Sequence, residues 1–469
     1  MAGSHGVVIL GSPEEVTLRN FVRRSQEQPP ADLSNFEQDL HRHVQAFERS
    51  LLSDALARFD VDAERIEIGG QLYRRGRVAG ETYATAAGPV RVLRHLYHPA
   101  DDQPGTVVPL ELQAGIVAGH WTPWAAEQMA FAVTMLTPAD AATLLAKLGN
   151  VAPSKSSLDR LPKALSARWE AHGEQYGAAI RAAELVPAAA VIAVSIDGLL
   201  TPMQSSPGRP KRMTSSKRPC GPAGFREVGV ATVALYDTEG ERLQTKYQGR
   251  MPEAKKVSLH RLLHAEVADT RGRVPDAKVV ALADGAKENW RILREVVPGA
   301  TEILDYFHAV EHLQKGFNAY HGEGSFEAKL CGKHYRRALR DDEAGALKVL
   351  RALQYRAKVS QGRKAKLIRA EVTFFRNHLQ RMRYAEYCAQ GLPIGSGVVE
   401  AACKTLVTQR LKQSGMRWGL PGGQAILTLR ALRLSHRWDT GWSLLKGTYV
   451  HPVTILHEAA IADGTRVAS

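Results

Sequence analysis

The sequence predicts a mixed α/β chain, in which an antiparallel hairpin sheet is extended by parallel strands, flanked by helices and interrupted by an all-helical insertion. Three observations predict it. VIAVSI (Val191 to Ile196) and VVALAD (Val279 to Asp284) contain continuous apolar runs of the length of buried strands. Between them, Val228 to Tyr236 and Glu241 to Gln248 read as two further strands joined by DTEG, a hairpin turn. Residues 320 to about 390 contain almost no strand-like stretch, and Cys331 to Tyr384 holds 15 basic against 4 acidic residues, a basic helical segment.

Taken in order, residues 1–33 are mixed in composition and contain prolines, which predicts a flexible N-terminus. Ser34 is placed to cap a helix running to about Phe59. Ile66 to Tyr73 and Pro89 to Leu96 read as short strands, so 34–118 is expected to be a small accessory α+β module. From 119 to 186 the pattern becomes helical. Thr122 and Thr137 precede Pro123 and Pro138, which suits N-cap and first-turn positions, and Gly149-Asn150 is expected to end the second helix. The third opens with Ser154, Lys155, Ser156 and Ser157. Three short helices of this kind fit a helix-turn-helix that offers Lys155 and Ser156 to DNA, with an ordinary helical bundle as the bland alternative.

The core is expected over 187–320. Its elements run strand, strand, strand, helix (253–272), strand, helix (Lys287 to Val297), strand (Thr301 to Leu304), helix. That is the RNase H-like order. The helical insertion covers 321–392, and the core resumes over 393–450. There Val399, Ala402, Cys403 and Leu406 fall on one helix face. Residues 451–469 read as a tail.

With 469 residues the chain exceeds one ordinary domain. Its net charge of +14 and pI of about 9.6 point to a polyanionic partner. Cys220, Cys331, Cys388 and Cys403 form no CxxC pair, which argues against a zinc knuckle or a disulfide framework. No basic-then-apolar leader and no apolar run near the ~20 residues of a membrane span is found. A soluble protein of the cytoplasm, associated with the nucleoid and not with a membrane, is expected.

Asp197 and Asp284 each follow an apolar run, at the strand ends where open α/β sheets bind ligands, although Asp-Gly is also favoured turn chemistry. Glu400 is set by the GSG break into the first turns of a core helix, where an acid also complements the helix dipole. Three hard oxygen ligands suit Mg²⁺ or Mn²⁺. Two such ions per site activate an attacking hydroxyl and stabilise the leaving oxygen in an in-line displacement at phosphorus.

SIDG, ADGAKENW, DYFHAVEHL, GSGVVEAACK and QRLKQSGMRW, in that order, resemble the blocks of bacterial insertion-sequence DDE transposases of the ISKra type, relatives of the Mutator-like element transposases. The resemblance spans about residues 35 to 450. It implies that Asp197, Asp284 and Glu400 are the catalytic, metal-holding acids. It also implies that Asp305 and His308 match a D-x-x-H motif with an auxiliary role, positioning a scissile phosphate or orienting a metal-bound water. Asp305 remains an alternative second acid, and His308 with His312 an alternative transition-metal pair. The chain departs from relatives that carry a cysteine pair after the N-terminal strands.

Three basic regions are candidates for holding DNA. The loop from Gln204 to Arg226 has six basic residues and no acid, among them Arg209, Lys211, Arg212, Lys217 and Arg218. The insertion is the second. In the third, Arg410, Lys412 and Arg417 suit phosphate, and Trp418 suits stacking on a base or packing in the core. The expected function is recognition of the terminal inverted repeats of an insertion sequence, Mg²⁺-dependent strand cleavage and strand transfer to target DNA, by a homodimer or higher oligomer. The alternatives are a non-catalytic domesticated DNA-binding regulator and an RNase H-like nuclease without strand transfer.

Overall fold

The computed structural model describes residues 11–28, 30–101, 103–148, 153–204 and 224–456. Strands are numbered β1–β9 and helices α1–α17 along the chain. Two compact units form, one of residues 1–176 with 439–469 and one of 177–438.

The first unit is built on an antiparallel sheet of order β3-β2-β1-β9, from β1 (Arg65–Ile68), β2 (Gln71–Thr85), β3 (Gly88–Pro99) and β9 (Thr454–Leu456). Ile66 to Tyr73, predicted as one strand, is instead a hairpin. Gly69 and Gly70 take positive φ (58° and 85°), so the chain reverses and Ile68 pairs with Gln71. The predicted C-terminal tail supplies β9, which pairs with β1. The stretch read as a flexible N-terminus contains α1 (Pro13–Glu27), opened by the Ser12 side chain, which accepts from Glu15 N–H at 3.2 Å. Asp32, not Ser34, caps α2 (Leu33–Ala57), accepting the Ser34 N–H at 2.9 Å.

After α3 (Pro109–Gln113) come α4 (Pro123–Met135), α5 (Pro138–Lys147) and α6 (Lys155–Ala183). Thr137 caps α5 through Asp140 N–H at 3.1 Å, as its position predicts, whereas Thr122 makes no capping bond. Gly149 and Asn150 lie outside the described residues. The third helix is longer than expected: α6 runs 29 residues, with Pro162 inside it. α17 (Trp438–Gly447) follows the second unit in sequence.

The second unit contains a mixed sheet of order β6-β5-β4-β7-β8 flanked by helices. β4 (Val191–Pro202), β5 (Phe225–Tyr236) and β6 (Arg242–Arg250) are antiparallel neighbours. β7 (Lys278–Ala283) and β8 (Thr301–Leu304) add in parallel on the other side of β4. The parallel additions need crossovers, which α7 (Val257–Arg273) and α8 (Lys287–Val296) provide. The DTEG turn is held by Asp237, whose Oδ1 accepts the Glu239 and Glu241 N–H groups at 2.9 and 2.8 Å.

Downstream of α9 (Tyr306–His321) lie α10 (Phe326–Asp341), α11 (Gly345–Val359), α12 (Gly362–His378) and α13 (Tyr384–Ala389), with no strand among the described residues. These helices do not form a separate core. Val349, Leu353, Ile368 and Phe375 belong to the same buried cluster as Val194, Leu282 and Leu313. The chain then returns through α14 (Gly397–Ala402), a π-helical turn over Cys403–Thr408 and α15 (Gln409–Leu411) to α16 (Leu420–Leu434). α16 lies along β6, where Ser435 Oγ accepts the Tyr247 N–H (2.9 Å) and Gln424 Oε1 the Met251 N–H (3.0 Å), satisfying donors of an edge strand.

Candidate active site

Apolar side chains bring β4 and β7 into parallel register, ending with Ile196 opposite Ala283. The next residue on each strand is an aspartate. Asp197 and Asp284 are therefore neighbours at the close of the parallel ladder. The expectation that β4 ends at Asp197 is corrected, since the strand continues to Pro202, paired only with β5. Asp197 sits where the sheet loses its β7 neighbour, which opens the same kind of crevice as a strand end.

Asp197 is half-buried. Burial pushes its carboxyl above the usual carboxylate range, and the charge of Asp284 adds to the effect, while the Gly198 N–H opposes it. Gly198 lies against the end of the Glu227 side chain. A Cβ there would lie 2.0 Å from Glu227 Oε1. Glu227 in turn meets Lys256 Nζ at 2.8 Å, and Lys256 donates to Asn289 Oδ1 at 2.8 Å. Asn289 Nδ2 donates to Asp284 Oδ1 at 3.1 Å, alongside the Ala286 N–H at 3.0 Å. Trp290 Nε1 fixes the backbone of the same turn, donating to the Asp284 carbonyl at 2.7 Å.

Glu400 is exposed on α14. Ser396 Oγ donates to Glu400 Oε1 at 3.1 Å. One turn further on, Cys403 Sγ–H donates to Asp197 Oδ2 at 3.5 Å, so the helix that carries Glu400 touches the aspartate pair through Cys403. Burial raises the Cys403 thiol well above its ordinary range, with Asp197 and Glu400 adding to it. The π-helical turn that begins at Cys403 has a local cause. Arg430 is buried, and its guanidinium donates to the Leu406 carbonyl (3.0 Å) and the Thr405 carbonyl, supplying donors where the α-helical ladder is interrupted. Burial, with Arg433 and Arg410 nearby, brings Arg430 down to about 10.

Asp305 is buried, and both of its oxygens are occupied. Oδ1 accepts the His308 N–H as the N-cap of α9, and Oδ2 accepts the Ser396 N–H. Its carboxylate joins α9 to the start of α14. The His308 ring lies 5.0 Å from His312. His312 is engaged elsewhere, bonded to Glu371 at 2.6 Å and stacked on Phe374 at 3.6 Å. Among the described residues no three His, Cys, Asp or Glu side chains converge on one metal position. The alternative metal pair of His308 and His312 therefore gains no third ligand.

For a divalent cation, the donor chemistry of the aspartate pair fits. Two adjacent half-buried carboxylates form no direct ion pair among the described residues, with the charge of Lys256 acting on Asp197 from a distance, and hard oxygen donors of this kind suit a divalent cation. Glu400 stands one helical turn from the contact with Asp197 and does not close the site as a third ligand in this conformation.

Lys155 and Ser156 are exposed at the start of α6, where Ser154 Oγ accepts the Ser157 N–H at 3.1 Å. Arg209, Lys211, Arg212, Lys217 and Arg218 lie outside the described residues. Lys412 and Arg417 are exposed. Arg410 is not. It is 1% exposed, with its guanidinium 5.3 Å from the Trp418 ring centroid, which corrects its expected contact with phosphate. Trp418 is half-buried and donates from Nε1 to the Leu411 carbonyl at 2.8 Å, so packing accounts for it.

Sequence reasoning missed Lys256, Asn289, Cys403 as a contact of Asp197, and His378. Asn289 carried a faint signal, because it lies within the ADGAKENW block. Lys256 carried none, since its left-handed backbone (φ 50°), next to the equally left-handed Lys255, has no mark in composition. His378 closes α12 beside the Asp284 turn, where burial and Arg381 bring it down to about 4.

No protein-family model matches the chain, and no curated protein matches it. Among solved structures, a Drosophila P element transposase strand transfer complex aligns with 70% of this chain and 81% of that one. Identity is 10% and the TM-score 0.25.

Proposed function

We propose that the chain is a DNA transposase of the DDE type, with an RNase H-like core interrupted by the helical insertion, and that it is similar to the ISKra-type insertion-sequence enzymes. One observation carries this reading. Asp197 and Asp284 stand side by side where the parallel ladder ends, with no direct ion pair among the described residues and the Glu400 helix in contact through Cys403. That is the acid set the sequence blocks imply, and it suits phosphoryl transfer better than any other chemistry in the chain.

In this reading Asp197 and Asp284 hold Mg²⁺ or Mn²⁺, and Glu400 joins them when DNA is bound. The ions supply activation of the attacking oxygen and stabilisation of the leaving one. Asn289 keeps the Asp284 carboxylate turned toward its neighbour, and the Cys403 thiol, held protonated, orients Asp197 by donation. In the first step water forms a new P–O bond at the end of the element as the old one breaks, leaving a 3′-hydroxyl. That hydroxyl then attacks a target phosphodiester, exchanging one P–O bond for another with no enzyme-linked intermediate. Exposed Lys412, Arg417, Lys155 and Ser156, and the basic segment from Gln204 to Arg226, would bind the DNA. Joining two ends calls for at least a dimer.

Incubation with Mg²⁺, a duplex of the sequence flanking its reading frame and a supercoiled plasmid tests this. Joined products are expected. Binding of the duplex with neither cleavage nor joining would support the DNA-binding regulator, and cleavage without joining the nuclease.

A further inference from the structure

Helix α12 of the insertion ends in a histidine whose surroundings are more specific than packing requires. Arg381 donates from Nη1 to His378 Nδ1 at 3.0 Å. Arg381 is itself held twice. Its Nε donates to Glu302 Oε2 at 2.6 Å, and its guanidinium lies 4.3 Å from the centroid of Trp290, the residue that fixes the Asp284 carbonyl. A guanidinium has no acceptor, so Nδ1 must accept and the single ring proton sits on Nε2.

That N–H points to the aspartate turn. A Cβ built at Gly285 would stand 3.5 Å from His378 Nε2 and 2.9 Å from Phe374 Cε2, so the histidine and Phe374 lie against the backbone just after Asp284. Phe374 is wedged in place by stacking on His312. Among the described residues Nε2 has no hydrogen-bond partner. Arg381, itself partly exposed, thus fixes the ring tautomer and leaves an accessible Nε2–H free to donate.

We infer that His378 is a substrate-contacting residue, its Nε2–H donating to a non-bridging oxygen of the DNA phosphate that is cut at Asp197 and Asp284. This rests on the phosphoryl-transfer reading above. A fixed, uncharged donor beside the carboxylates meets charge that grows on the phosphoryl oxygens during displacement, without competing for the cation position.

The test is single-turnover cleavage by wild type, Asp284→Ala, His378→Phe, His378→Gln and Arg381→Met, with DNA affinity and melting temperature measured for each. His378→Phe is expected to cleave about 10²-fold more slowly with affinity within a few-fold, the size of losing one oriented donor. His378→Gln, whose amide N–H₂ reaches the Nε2 position, should recover most of the rate. Arg381→Met should slow wild type but add nothing in the His378→Phe background. Phosphorothioate replacement of one non-bridging oxygen should slow wild type more than His378→Phe, a comparison within one protein that does not depend on the variants' relative stability. Cleavage by His378→Phe at the wild-type rate, while Asp284→Ala is inert, overturns this inference alone. A wild type that binds DNA and cuts nothing overturns it together with the reading beneath it.

Discussion

The Asp305 carboxylate accepts the backbone N–H of Ser396, 91 residues away, and Ser396 Oγ then donates to Glu400. A buried aspartate thus fixes where the helix carrying the exposed glutamate begins, with its other oxygen spent on the first turn of α9.

Asp305→Ala should therefore act through position and stability together. Two N–H groups lose their acceptor, one of them an N-cap bond, at a cost of about 2–4 kcal/mol. Cleavage should fall without vanishing. Asp305→Asn, which keeps one acceptor oxygen, should recover part of both. Thermal melting and single-turnover rates check this, and an Asp305→Ala protein as stable as wild type but wholly inactive would make Asp305 a direct participant.

Asp197→Asn should raise stability while abolishing cleavage. Because folding lifts the Asp197 carboxyl above its ordinary value, its ionised form costs stability. The cost is complete above the folded value and disappears as pH falls toward the unfolded one near 3.8. At pH 7 and without divalent ions, the variant should melt at a higher temperature than wild type. Mg²⁺ should stabilise wild type and not the variant. Equal melting temperatures at pH 7 would remove the electrostatic cost.

Lys412 and Arg417 are exposed and Arg410 is buried, so the three should part company in one experiment. Neutralising Lys412 and Arg417 together should reduce the magnitude of the log–log salt slope of DNA binding by about two units. Arg410→Gln should lower the melting temperature and leave the slope unchanged. A lower slope from Arg410→Gln in a folded protein would return it to the DNA surface.

Neutralising Arg209, Lys211 and Arg212 should reduce that slope by roughly two to three units with little change in sequence preference. Alanine at Lys155 and Ser156 should instead lower the ratio of affinities for end DNA and scrambled duplex. An unchanged slope or an unchanged ratio would remove the corresponding region from DNA contact.

The strands that build the site were legible because they are buried on both faces. VIAVSI, apart from the buried Ser195, and VVALA are apolar, and DTEG carries its own turn chemistry. β2 was mostly missed because Gln71 to Thr85 is exposed along much of its length and rich in arginine, so no apolar period marks it. The continuation of β4 past Asp197 was missed because its pairing with β5 needs no apolar run on the vacated side. Within the candidate site, the sequence pointed to the two strand-end aspartates that the structure brings side by side, but not to the residues that hold them. Asp305 to Ser396, Lys256 to Asn289 and Cys403 to Asp197 are contacts between elements distant in the chain. The burial of Arg410 inverts what its charge implies and depends on tertiary packing around Trp418.

The central claim is that Asp197, Asp284 and Glu400 form one metal-dependent centre for cutting DNA. The most direct measurement is single-turnover cleavage of the flanking-sequence duplex in Mg²⁺ by wild type and by Asp197→Ala, Asp284→Ala and Glu400→Ala, with DNA affinity measured alongside. Wild type should release a 3′-hydroxyl strand, and each variant should bind within a few-fold of wild type and cut nothing detectable. Mg²⁺-dependent cleavage surviving in any one variant, or full activity in wild type with the divalent ions chelated, would contradict it.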